Sequence, residues 1–180
     1  MNIEFQPSGF EKGSYLNVGA QWLWRPFPSF AFEYGDPIRV RLMSDKNPDQ
    51  FVSFESQEQF GTTVRNLARA GAAQITNLRA SFATVDASLR AWRREKDRFA
   101  YHLGVAYGLT NRAREAREHF GAARVKDPEH EWQRADNRMI DELNELVGDS
   151  EAFRARITKI IQNERDTLKL VRAPNLDLPR

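Results

Sequence analysis

The chain has 180 residues, no cysteine and a formal net charge of +2. Its 41% hydrophobic and 29% charged residues lie near the globular average, which excludes disordered, collagenous and bilayer-spanning chains. The missing cysteines remove disulfides, thiolate metal sites and thiol nucleophiles; Met1 to Phe10 has no basic start followed by an apolar stretch, so a cytoplasmic protein without a membrane segment is expected.

The length predicts one domain, read as 1–172 with a sheet part at 1–55 and a helical part at 56–172, followed by a loose tail from Ala173 to Arg180 that carries Pro174 and Pro179. Between Tyr15 and Arg25 apolar residues recur at every second position, with Leu16, Val18, Ala20, Trp22 and Trp24 on one face and Leu23 as the exception. A second alternating run, Phe30 to Tyr34, stops at Gly35-Asp36-Pro37. A third has Ile38, Val40 and Leu42 against Arg39 and Arg41, and Phe51 to Phe54 reads as a short edge strand. Alternation of this kind predicts an antiparallel sheet covered on one side.

Beyond Ser56 the period changes. Phe60, Val64, Leu67, Gly71, Ile75, Leu78 and Phe82 are spaced by three or four, one stripe of a long helix. Helices are expected at 57–82, 86–109 with a break near Lys96, 112–126, 128–147 and 150–171. Asp127-Pro128 reads as a helix start with an N-cap acceptor and proline at the first helical position. Gly148 ends that helix and Asp149-Ser150 caps the next.

Within 97–130, Leu103-Gly104, Tyr107, Ala116, Phe120, Ala123 and Pro128 fall on the Leu-Gly, Tyr, Ala, Phe, Ala and Pro positions of a known repeat. The segment resembles a single tetratricopeptide (TPR) hairpin. The resemblance implies two antiparallel helices that cross closely at Gly104 and Ala116, with Tyr107 and Phe120 filling the space beside them. Ala100 replaces the usual Trp and Asn111 the frequent turn Gly; Asn tolerates the left-handed conformation. One period later Asn137, Arg138 and Asp141 replace Leu, Gly and Tyr, so no second copy follows. A lone copy suits a structural hairpin completed by other helices, since peptide grooves need about three repeats, with peptide binding by the hairpin as the alternative. The Pro7-x-Gly9-Phe10 turn leading into an aromatic sheet resembles uncharacterised bacterial domain families, a likeness that transfers no residues. The expected fold is therefore α+β: an N-terminal antiparallel sheet of three to four strands packed on a C-terminal bundle of about five helices that includes the TPR-like hairpin.

Catalytic and metal patterns are weak. His102, His119 and His130 are dispersed, with no His-Glu-x-x-His spacing. Asp45, Asn47 and Asp49 open like a calcium loop, but Gln50 and Ser56 stand where the bend glycine and the bidentate glutamate belong. Gly61-Thr62-Thr63 lacks the second glycine and the lysine of a phosphate loop. No metal, no cofactor and no catalytic residue is assigned, and the reading leans away from an enzyme.

Charge is unevenly laid out: residues 79–117 carry nine bases and four acids, 127–151 carry two bases and nine acids, and 152–180 seven bases and three acids. Arg90, Arg93, Arg94, Lys96 and Arg98 surround Trp92, a grouping that could grip phosphates and stack a base. Acidic and basic helices could equally pair with each other. Trp24-Arg25-Pro26-Phe27-Pro28 joins two bulky aromatics to two prolines, a loop suited to contact if exposed. The leading expectation is a non-enzymatic bacterial interaction or adaptor protein that meets another protein through Trp24, Arg25, Phe27, Arg93, Arg94 and Tyr101. The alternatives are a nucleic-acid-associated factor using 90–98 and an enzyme of unrecognised class.

Overall fold

The first strand is not among those expected, although Ile3 and Phe5 alternate with Asn2, Glu4 and Gln6. In the computed structural model, which describes residues 2–7, 14–27, 33–34, 37–38 and 56–171, β1 (Asn2–Pro7) runs antiparallel to β2 (Ser14–Gly19), with Asn2 opposite Gly19 and Pro7 opposite Ser14. β3 (Pro37–Ile38) pairs with the other side of β2, Ile38 opposite Leu16, and one bridge joins Ala20 to Tyr34. Both prolines sit at strand ends, where a missing N–H costs little.

The strand expected over Tyr15–Arg25 stops at Ala20. Residues 23–25 turn instead, and the Trp22 N–H donates to the Glu33 carboxylate at 2.8 Å rather than to a neighbouring strand. Aromatics at alternate positions also suit a turn that buries its rings on one side, so the period continued where the strand did not. Most of the runs at Phe30–Tyr34 and Ile38–Leu42 lies outside the described residues. So do Phe51–Phe54, the Asp45–Gln50 loop, the Gly9-Phe10 turn and the tail from 173.

The chain falls into two compact units: the chain up to Trp22 together with Phe27–Ala80, and Leu23–Pro26 together with the chain from Ser81. The first unit holds the strands and α1 (Gln57–Ser81). Ser56 starts α1 by accepting from the Gln59 N–H at 3.1 Å, and Glu58 in the first turn and Arg79 in the last complement the helix dipole. The apolar stripe is buried only from Leu67 onward, at Leu67, Gly71 and Leu78. Phe60 and Val64 at its start are 46% and 42% exposed. Gln74 lies in the buried half and donates its side-chain amide to the Val18 carbonyl at 3.0 Å, tying the helix to β2.

The second unit is helical: α2 (Val85–Trp92), a 3-10 turn (Arg93–Glu95), α3 (Ala100–Leu109), α4 (Ala113–Ala123), α5 (Glu131–Leu146) and α6 (Ser150–Thr167). All ten residues of α3 are buried, as its nearly unbroken apolar sequence requires. A Cβ on Gly104 would lie 2.6 Å from the Phe120 ring of α4, and one on Gly108 2.5 Å from the Phe153 ring of α6. The two glycines thus let one helix touch two neighbours. Asn111 turns the chain between α3 and α4 at φ 59°, and the Arg154 guanidinium donates to the Leu109 carbonyl at the end of α3.

Two expected helix starts come out differently. Asp149 caps α6 by accepting from the Glu151 and Ala152 N–H groups. Asp127-Pro128 does not start α5, which begins three residues later behind His130. Residues 125–130 are held off the helix by side chains. Asn137 both accepts from the Val125 N–H at 2.9 Å and donates to its carbonyl at 2.8 Å, while Arg134 takes the Pro128 and Glu129 carbonyls.

Among the described residues, six α-helices of 8 to 25 residues make the structure mostly helical. This overturns the α+β reading with its sheet of three to four strands packed on a bundle. The described strands are a small part of one unit, and β3 is two residues long. Each helical stripe closes its own backbone hydrogen bonds, whereas the alternating runs needed partners along their whole length.

Candidate functional site

A histidine inside an apolar helix needs a polar neighbour, because an unpaired ring nitrogen in such surroundings costs free energy. His102 of α3 is 1% exposed. Its Nδ1 accepts from the Trp24 indole Nε1–H at 2.9 Å, so the ring hydrogen is carried by Nε2. Trp92, fully buried at the end of α2, stacks on His102 with centroids 5.5 Å apart and meets Trp24 edge-on at 6.1 Å. Next to His102, the Tyr101 hydroxyl donates to the Trp24 carbonyl at 2.8 Å. Arg25 reaches Asp136 of α5 at 3.3 Å and lies 5.8 Å from the Tyr101 ring centroid. The turn Leu23–Pro26 is thus held at the indole N–H and the backbone carbonyl by two residues of α3 and at the guanidinium by one of α5.

A second cluster forms on Tyr107, five residues further along α3. His119 of α4 stacks on its ring at 5.3 Å with planes 10° apart. The Arg112 guanidinium lies 4.5 Å from the ring centroid and that of Arg93 5.5 Å, with Arg93 Nε donating to the Tyr107 hydroxyl at 2.8 Å. Burial pushes the His119 pKa below its usual value; Glu118 opposes this, and the Arg93 and Lys96 charges add to it. Arg112 in turn is paired with Glu115, and the hydrogen bond holds that carboxyl below the ordinary range. The cluster can present ordered guanidinium groups over an aromatic ring to an anionic surface.

Of the residues singled out in the sequence, Trp24, Arg25 and Tyr101 come together in the first cluster. Phe27 is half-buried and belongs to the first unit. Arg93 and Arg94 stand exposed on the 3-10 turn. Leu103, Gly104, Tyr107, Ala116 and Phe120 are buried along the α3–α4 contact, and Ala123 and Pro128 are half-buried. His102, Asp136, Arg112 and His119 were missed as members of a contact site, and Trp92, singled out as a stacking ring, is instead fully buried. The pairings of His102 with Trp24 and of Asp136 with Arg25 span 78 and 111 positions, beyond any local pattern. Trp132, 61% exposed and stacked on His130, was also missed.

Among the described residues, no group of three or more His, Asp or Glu is placed to hold a metal ion, and no helix is long and apolar enough to cross a membrane. No family model matches the chain, and neither a curated protein nor a solved structure matches it.

Proposed function

We propose that the helical unit is a cytoplasmic, non-enzymatic interaction module whose TPR-like hairpin α3–α4 is a scaffold, and that it meets an acidic protein surface through the face around Tyr107. The observation that carries this is the ordering of Arg93 on Tyr107: a hydrogen bond at 2.8 Å fixes an exposed guanidinium in advance. Arginine and tyrosine dominate binding hot spots, and a side chain already immobilised loses less entropy when a partner arrives. Arg112 at the same ring and the neighbouring Arg94 extend the basic face. Support for the scaffold role comes from the fit of Gly104 against Phe120 and from the left-handed Asn111 at the turn.

The basic face could also serve a nucleic acid, since Arg90, Arg93, Arg94 and Lys96 are all exposed. That reading is less favoured because Trp92, the ring it would use for stacking, is fully buried. The two are separated by comparing the wild type with the Arg93→Glu/Arg94→Glu variant. We expect a stoichiometric protein partner to co-purify with the wild type and to be lost with the variant. Absence of such a partner, together with oligonucleotide binding that falls steeply with salt, would turn the assignment to nucleic acid.

A further inference from the structure

We propose that the face around Tyr107 is a binding site for a phosphate monoester dianion, presented as a phosphorylated serine or threonine side chain on the protein partner. The proposal rests on the interaction reading of that face and names the group it receives. Arg93 donates its Nε–H to the Tyr107 hydroxyl at 2.8 Å, and Tyr107 itself is buried, so the ring is not what a partner touches. What the pair leaves outward is the terminal nitrogens of an exposed guanidinium already held in place, a fork that matches two oxygens of an oxyanion. Among the described residues no carboxylate pairs with Arg93, Arg94 or Lys96, all of them exposed, whereas Arg98, Arg112, Arg124 and Arg156 each hold one.

The number of cations selects the occupant. A carboxylate is satisfied by one guanidinium fork. Lys96 adds a second cation on the same side, because it follows Arg93 by three residues across the 3-10 turn, where side chains at that spacing eclipse. Both charges also act on His119 of α4, as do Glu118 and Glu115, the latter committed to Arg112. Two unpaired cations beside a half-buried imidazole suit a group with three free oxygens and close to two negative charges, which a phosphate monoester has near neutral pH and a carboxylate lacks. Phosphodiesters carry one charge each, and Trp92, the ring that would stack a base, is fully buried.

The test titrates inorganic phosphate into the full-length, isotope-labelled protein near neutral pH and at constant ionic strength, followed at the arginine Nε–H and histidine ring resonances. The Arg93 signal should move along a saturating curve with its midpoint at or below about 10 mM, the Arg138 signal should not, and acetate should require at least about tenfold more. With phosphate bound, His119 should titrate at higher pH than in chloride, because the added negative charge opposes Arg93 and Lys96. Arg93→Gln/Lys96→Gln should weaken phosphate binding by at least about tenfold. No saturation by about 100 mM, or an equal response to acetate, overturns the proposal, and both comparisons use the wild type alone. An oligonucleotide without terminal phosphate that competes at least as tightly would give the site to phosphodiesters and overturn the assignment. Any partner that co-purifies with the wild type should be released by phosphatase; one that stays bound overturns this proposal and leaves the interaction reading standing. Saturable phosphate binding with no protein partner would overturn the interaction reading and the partner-borne source together, and give the site to a free phosphate ester.

Discussion

Two glycines in the hairpin show how much a single methyl group decides. Gly104 faces the Phe120 ring at 2.6 Å from where a Cβ would stand, while Gly121 on α4 has nothing within 4 Å of that point. Gly104→Ala should therefore cost about 1–3 kcal/mol through overpacking, and Gly121→Ala should stabilise by up to about 1 kcal/mol because glycine is the weaker helix former. Urea unfolding of both variants reads the contrast directly. His119 gives a third expectation. Its pKa is lowered on folding, so the unfolded chain binds the proton more readily, and stability is full above the unfolded value of 6.5 and declines as pH falls below it. Melting temperatures at pH 7 and pH 5 should differ less for His119→Gln than for the wild type; an unchanged difference would contradict the assignment. The Gly104, Phe120 and Asn111 positions were legible in the sequence because they belong to one local hairpin. The pairing of Trp24 with His102 was not, since 78 positions separate them and the strand-like alternation around Trp24 suggested a sheet face.

At the scale of elements, side chains that bind backbone decide where helices begin. Asn137 holds Val125 by two hydrogen bonds and is itself buried, so neither amide partner can turn to water. Asn137→Ala should cost about 1–3 kcal/mol and raise amide exchange across 124–130 before the helices themselves open. Uniform exchange across the unit would show that the connection is not held this way. The same clamp explains a misread boundary. Asp127-Pro128 has the residue types of a helix start, but the signal is local, and the carbonyls taken by Arg134 and the groups taken by Asn137 keep the segment irregular. The helix over 57–81 and the Asp149 cap were readable because periodicity and capping act within one turn or one face. The extent of sheet was not, because each alternating run needs a distant partner that composition cannot supply.

For the whole molecule, the small net charge of +2 hides a division into segments that use one another. Three acids of α5 reach bases outside it: Asp136 to Arg25, Asp141 to Arg124 and Glu142 to Arg156. The Arg156 hydrogen bonds hold the Glu142 carboxyl below its ordinary 4.5, so its contribution is present above that value and disappears as pH falls through the lowered one. Glu142→Gln should cost less than about 1 kcal/mol at pH 7, since the pair is partly exposed, and nothing once the wild-type carboxyl is protonated. Denaturation at the two pH values tests this, and an equal loss at both would rule out the pair as its source. One feature of the molecule also bears on how it can be divided. Because Leu23–Pro26 belongs with the helices from Ser81 onward, no single cut separates the units cleanly. A fragment starting at Ser81 keeps α2 to α6 yet leaves His102 without the indole that its Nδ1 accepts from. A cleavage site at the apparent boundary is therefore also an amputation, and a shortened chain would have to be supplied with its missing tryptophan to report on the whole.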